Sequence, residues 1–122
     1  MLKMGALTII TILTLLISTA IPSLAGEVKT VEVLKNVYTI VDGEGVDSNT
    51  TFIITTEGVI VIDTRPTPTE ARKILEEIRK LTDLPIVYTI NTHYHGDHTF
   101  GNQVFKNRKS IIAHKNVRNT LI

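Results

Sequence analysis

Within one short run, His93-Tyr94-His95-Gly96-Asp97-His98 offers three imidazoles and a carboxylate. Neutral imidazole nitrogens and carboxylate oxygens are side-chain donors that zinc takes readily, and iron or manganese accepts them as well. On a loop, His93 and His95 can both turn toward one metal ion, while Asp97 and His98 face a second position beside it. A divalent ion held there lowers the pKa of its water toward neutrality and polarises a carbonyl or phosphoryl group, which is the chemistry of hydrolysis. Asp97 can orient that water or take its proton, so it is a candidate catalytic residue as well as a candidate ligand. The chain has no cysteine, which removes zinc-thiolate sites, disulfides and thiol nucleophiles and leaves metal binding to His, Asp and Glu. The remaining histidine, His114, follows an apolar run and reads as a helix-start residue rather than a ligand.

Such a motif works only if the surrounding elements hold it still. Pro85 to Ile90 is an apolar run closed by Asn91, a buried strand by its composition, so Asn91 to His98 falls at the carboxyl end of a strand. Open α/β sheets put their ligand sites there. Asn91 and Thr92 are expected to brace the loop by hydrogen bonds, and Tyr94, lying between two ligands, to point away from them, into packing or toward the site mouth. Upstream, Thr67-Pro68-Thr69-Glu70 combines a capping residue, a proline suited to the first turn and an acid three residues after the cap, so a helix starts here. Ala71, Ile74, Leu75, Ile78 and Leu81 recur at helical spacing, and Arg72, Glu76 and Lys80 stand four apart on the opposite face as expected ion pairs.

Before the helix, Thr51 to Thr55 and Val59 to Asp63 are apolar runs joined through Glu57-Gly58, the pattern of a β-hairpin. Val31 to Leu34 and Asn36 to Val41 read as two further strands, with Asp42-Gly43-Glu44-Gly45 as a turn-rich break. After the motif come a short helix over Thr99 to Phe105 interrupted by Gly101, a strand over Ser110 to His114, and the start of a helix from Lys115. The layout is a mixed α/β fold: an antiparallel sheet, then strand, helix and strand with parallel pairing.

The first 25 residues have a different logic. Lys3, an apolar and threonine run from Ala6 to Ile17, and then Pro22-Ser23-Leu24-Ala25 reproduce the basic, apolar and small-residue regions of a secretory signal peptide, with cleavage leaving Gly26 at the new terminus. The apolar run is short for a membrane span, and an uncleaved anchor is the alternative. Either form places the domain, residues 26–122, outside the cytoplasm, secreted or periplasmic. A net charge of +1 gives no support for a nucleic-acid partner. The apolar share of 43% and the charged share of 20% are those of a chain that folds.

The run His93 to His98, followed by Gly101-Asn102 and preceded by a hairpin ending in Val61-Ile62-Asp63-Thr64, resembles the metallo-β-lactamase superfamily over the chain from about Val31 onward. The resemblance implies a four-layer αββα sandwich with one or two zinc ions between its sheets, His93 and His95 on the first and Asp97 and His98 on the second. It implies a supporting role for Asp63 beside the metal loop, against the plainer reading of a turn-forming residue. The partner would be a small-molecule substrate, with β-lactams, thioesters, lactones and phosphoesters all open. The family's pattern also needs a further histidine on the first metal, a bridging aspartate and a last histidine, which this chain does not supply. It is therefore expected to be the N-terminal half of such a domain, truncated at its C-terminus and of little activity alone. Two alternatives stand: a mononuclear-iron sulfur oxygenase of the same fold, and a non-catalytic metal-binding fragment.

Overall fold

A computed structural model describes residues 28–42, 48–106 and 109–121. The expected leader, Met1 to Ala25, and the Gly43-Glu44-Gly45 break lie outside the described residues. Six strands form one sheet in sequence order: β1 (Val28–Leu34), β2 (Val37–Asp42), β3 (Thr50–Ile54), β4 (Val59–Ile62), β5 (Ile86–Asn91) and β6 (Ser110–Ala113). The first four strands run antiparallel, and β4, β5 and β6 pair in parallel. The meander and the parallel strand-helix-strand unit expected from the patterning are both present, with β1 beginning earlier than its first apolar pair implied.

Helix α1 (Pro68–Arg79) makes the crossover from β4 to β5. Thr67 is its extended N-cap, its hydroxyl accepting from the Glu70 amide at 3.1 Å, and Pro68 opens the first turn. Both features satisfy or dispense with amides that a helix start leaves unpaired. The buried residues Ala71, Ile74 and Ile78 form one stripe, which packs on Ile40, Phe52, Val59 and Val61 of the sheet. Each fully buried large aliphatic contributes on the order of 1.5–3 kcal/mol of hydrophobic stabilisation. Ion pairs on the helix form at three-residue spacing, Glu70 with Lys73 at 3.0 Å and Glu77 with Lys80, rather than among Arg72, Glu76 and Lys80. The reason lies across the sheet: Glu77 accepts from the Thr30 hydroxyl of β1 at 2.5 Å, which fixes its carboxylate on that side. Burial pulls the Glu77 carboxyl up, but the hydrogen bonds from Lys80 and Thr30 outweigh it and the net shift is downward.

The other face of the sheet is also apolar. The registers place Val37, Ile53, Ile60, Ile62, Tyr88 and Ile90 there, all half-buried, whereas the α1 stripe covers the opposite face. One sheet and its helices are thus present, and the sandwich only in part. Among the described residues no helix is long and apolar enough to cross a membrane.

After β5 the chain does not loop through the whole motif. A short helix, α2 (Gly96–Thr99), takes its second half, and a 3-10 helix (Phe100–Val104) follows directly, running through Gly101 rather than breaking there. The last element is α3 (Lys115–Leu121). His114 starts it as expected, its Nδ1 accepting from the Asn116 amide at 3.3 Å.

Candidate metal centre

Because β4 and β5 are parallel neighbours, with Ile62 opposite Ile90, the residues that follow them emerge side by side at one edge of the sheet. Asp63 follows β4, and Thr92 begins the motif loop after β5. Asp63 is 5% exposed and adopts φ +61°. A left-handed backbone at a residue other than glycine costs on the order of 1 kcal/mol and persists only where neighbours hold it. Here they do. The Asp63 amide donates to the Ile90 carbonyl at 2.8 Å, and the Thr50 hydroxyl donates to the Asp63 carbonyl at 3.1 Å.

The Asp63 carboxylate then organises the motif. Its Oδ1 accepts from the Thr92 amide at 2.9 Å. Its Oδ2 accepts from the Thr92 hydroxyl at 2.7 Å and from His98 Nδ1 at 2.8 Å. With its hydrogen given to Asp63, the Thr92 oxygen accepts from His93 Nδ1 at 3.0 Å. One buried carboxylate thus directs two imidazoles, His98 directly and His93 through Thr92, so that each protonated Nδ1 faces inward and each Nε2 is left to face outward. A carboxylate behind an imidazole is the usual second partner of a metal-binding histidine, fixing its tautomer and raising its basicity. The turn-forming reading of Asp63 is therefore incomplete.

His98 Nε2 lies 3.1 Å from Asp97 Oδ2. The His93 ring centroid lies 4.8 Å from that of His95 and 3.9 Å from that of His98; Tyr94, expected to point away from the ligands, instead packs edge-on against His95 at 4.6 Å and is half exposed rather than buried in packing. All four sequence-predicted ligands are brought together. Among the described residues, however, no three His, Asp or Glu side chains converge in the arrangement that holds a metal, and the His93 and His98 rings pack against each other. The donor set still fits a divalent cation: two imidazoles with their tautomers fixed, a third beside them, and a carboxylate oxygen within hydrogen-bond reach of an outward nitrogen.

The bracing expected of Asn91 and Thr92 is present, and it extends to the side chains of Thr64 and Asn102. Three donors meet on the His98 carbonyl: the Thr64 amide at 2.9 Å, the Thr64 hydroxyl at 3.2 Å and Asn91 Nδ2 at 2.9 Å. Asn102 Oδ1 faces the same Thr64 hydroxyl at 3.1 Å and Asn91 Nδ2 at 3.3 Å, while Asn102 Nδ2 donates to Asn91 Oδ1 at 2.7 Å. Gly101 makes this closeness possible. Its amide donates to the Arg65 carbonyl at 2.9 Å, and a Cβ there would lie 1.8 Å from the Thr64 carbonyl oxygen. Ser48, before β3, donates to the Asp97 carbonyl. Arg65, a second left-handed residue at φ +68°, is buried behind this turn with Glu70 at 3.5 Å. A lone Thr-Arg pair after a strand carries no signal of such a place. The Gly101-Asn102 pair was the only visible hint of the rest.

Comparison with known proteins agrees with this geometry. Residues 43–120 match the metallo-beta-lactamase superfamily. A linear primary-alkylsulfatase of a Pseudomonas species is 38% identical over 55 residues, which are 45% of this chain and 10% of that protein. The structure superposes on an inverting sec-alkylsulfatase of Pseudomonas with TM-score 0.57 and 30% identity, covering 64% of this chain and 12% of that one. It superposes on a metallo-β-lactamase of Hirschia baltica with TM-score 0.64 and 19% identity, covering 76% of this chain and 46% of that one, a likeness of fold. This chain therefore spans less than half the length of these relatives. With more than half of its residues matched by the family and the N-terminal part of the fold in place, the chain belongs to the metallo-β-lactamase superfamily.

Proposed function

We propose that the protein is an exported, metal-dependent hydrolase of small molecules, its site begun by His93, His95, Asp97 and His98. The relatives are hydrolases, and superfamily members generally bind divalent metals such as zinc. The observation that carries the proposal is the Asp63 carboxylate, which accepts from both Thr92 and His98 Nδ1 and so leaves His98 Nε2 facing Asp97. A divalent ion, zinc before iron or manganese for this donor set, supplies Lewis acidity and an acidified water when bound. His93 and His95 would hold a first ion and Asp97 and His98 a second. Asp97, exposed beside His98 Nε2, orients the attacking water or takes its proton. Thr92 and Asp63 keep the rings from turning away.

The substrate is a small ester or amide with a polarisable carbonyl, phosphoryl or sulfuryl centre. The activities of the relatives add sulfate esters to β-lactams, thioesters, lactones and phosphoesters as classes to try. The protein extended to the family's full domain, zinc-loaded, is expected to turn over a member of that panel and to lose turnover on chelation and in His95→Ala, while residues 1–122 alone are expected to show little or none. Activity unaffected by both treatments removes the proposal. Oxygen uptake with stoichiometric iron in place of hydrolysis gives the site instead to oxygenase chemistry. Export is proposed from the order of basic, apolar and small residues in Met1 to Ala25. The intact mass of the secreted form should correspond to a chain starting near Gly26, and a mass that includes Met1 favours the anchored form.

A further inference from the structure

Asp63 sets how the imidazoles are turned, but nothing in that contact fixes where the backbone of α2 stands. Asp97 and His98 leave the backbone from consecutive residues of a four-residue helix, which has no length to stabilise itself. Its N-cap, His95, makes no side-chain capping bond. The position of those two donors therefore depends on what holds the main chain from outside, and the strongest hold is on the His98 carbonyl.

We propose that Asn102, paired head to tail with Asn91, is a positioning residue for the second metal pair, locking the His98 carbonyl and so setting where Asp97 and His98 present their donors. The inference rests on the metal-binding reading of those two residues. The two side-chain amides are reciprocal, Asn102 Nδ2 giving to Asn91 Oδ1 at 2.7 Å and Asn91 Nδ2 facing Asn102 Oδ1 at 3.3 Å. That pairing fixes which way the Asn91 amide points, and Asn91 Nδ2 is thereby directed to the His98 carbonyl at 2.9 Å. Asn102 Oδ1 likewise faces the Thr64 hydroxyl, whose oxygen stands 3.2 Å from the same carbonyl. Asn91 is 3% exposed and Thr64 fully buried, so water does not readily replace either partner. The turn after β4, through Thr64, and the end of β5, through Asn91, are tied at the His98 oxygen, and Asn102 of the 3-10 helix is tied to both. A change in their spacing displaces the two donors together, and displacements near 1 Å are enough to cost binding and rate.

Cobalt(II) titration of the purified protein tests this, read by the visible ligand-field bands and by competition with a chelator, beside the thermal midpoint of the metal-free form. Asn102→Ala is expected to weaken the cobalt affinity attributed to Asp97 and His98 by roughly 10-fold, within the range for partners that stand behind metal ligands, and to alter the bands. Thr64→Val, nearly isosteric, should do the same with a smaller change in midpoint, and Thr64→Ser, which keeps the hydroxyl, should restore the wild-type values. Bands and affinity unchanged in both Asn102→Ala and Thr64→Val overturn the inference alone, as does Thr64→Ser behaving like Thr64→Val. A wild-type protein that takes up no cobalt removes the metal reading and the inference with it.

Discussion

The two halves of the His93 to His98 run are held in different ways. In the first half, His93 is tied through one ring nitrogen to Thr92, Tyr94 is 48% exposed, and the exposed His95 side chain makes only ring contacts among the described residues. In the second half, the His98 ring is held by Asp63, its carbonyl receives three donors, the Asp97 carbonyl receives Ser48, and Gly101 lies against the Thr64 carbonyl. A site is most reproducible where a second set of residues locks the first. These residues thus preorganise the Asp97–His98 end through their own hydrogen bonds, whereas the His93–His95 end depends mainly on the strand that delivers it.

This contrast can be pushed until it fails. The largest effect is expected for Asp63→Ala, which leaves the Thr92 amide, the Thr92 hydroxyl and His98 Nδ1 without their acceptor. Unsatisfied groups of this kind cost about 1–3 kcal/mol each when buried, and metal affinity should fall by up to about 100-fold. Calorimetric metal titration with thermal unfolding checks both, and an affinity within twofold of wild type means that Asp63 does not organise the site. Gly101→Ala comes next. Its Cβ would meet the Thr64 carbonyl oxygen at 1.8 Å and the Ala71 Cβ at 2.8 Å, so the 3-10 helix must move from the turn after β4. Overpacking of this sort costs about 1–3 kcal/mol, which denaturant unfolding would resolve. A neutral outcome means the two segments are not locked. The smallest effect belongs to the loosely held half: Tyr94→Ala should change unfolding free energy by no more than about 0.5 kcal/mol, as for other exposed positions. A loss as large as that of Gly101→Ala erases the distinction between the halves.

What could be read without coordinates divides along similar lines. The capped helix at Thr67, the hairpin through Gly58 and the placement of the motif after an apolar strand are local matters, written in spacing and turn chemistry over a few neighbouring residues. The grip on the motif is not local. Asp63 and Thr92 are 29 residues apart and meet only because β4 and β5 pair in parallel, a register that no short window contains. The conversion of Gly96 to Thr99 into helix was hidden too, since a glycine and two potential ligands give no amphipathic pattern. Arg65 sits in the core because the turn carries it there, against the usual habit of its side chain.

If His93, His95, Asp97 and His98 are metal ligands, elemental analysis of the protein purified without chelators will read it out. The full-length wild-type protein is expected to carry a stoichiometric divalent metal, zinc foremost, and to lose most of it in His95→Ala and in His98→Ala while each variant keeps the secondary structure of the parent. A folded wild-type protein with no metal, or one whose metal content is the same in both variants, would contradict the account.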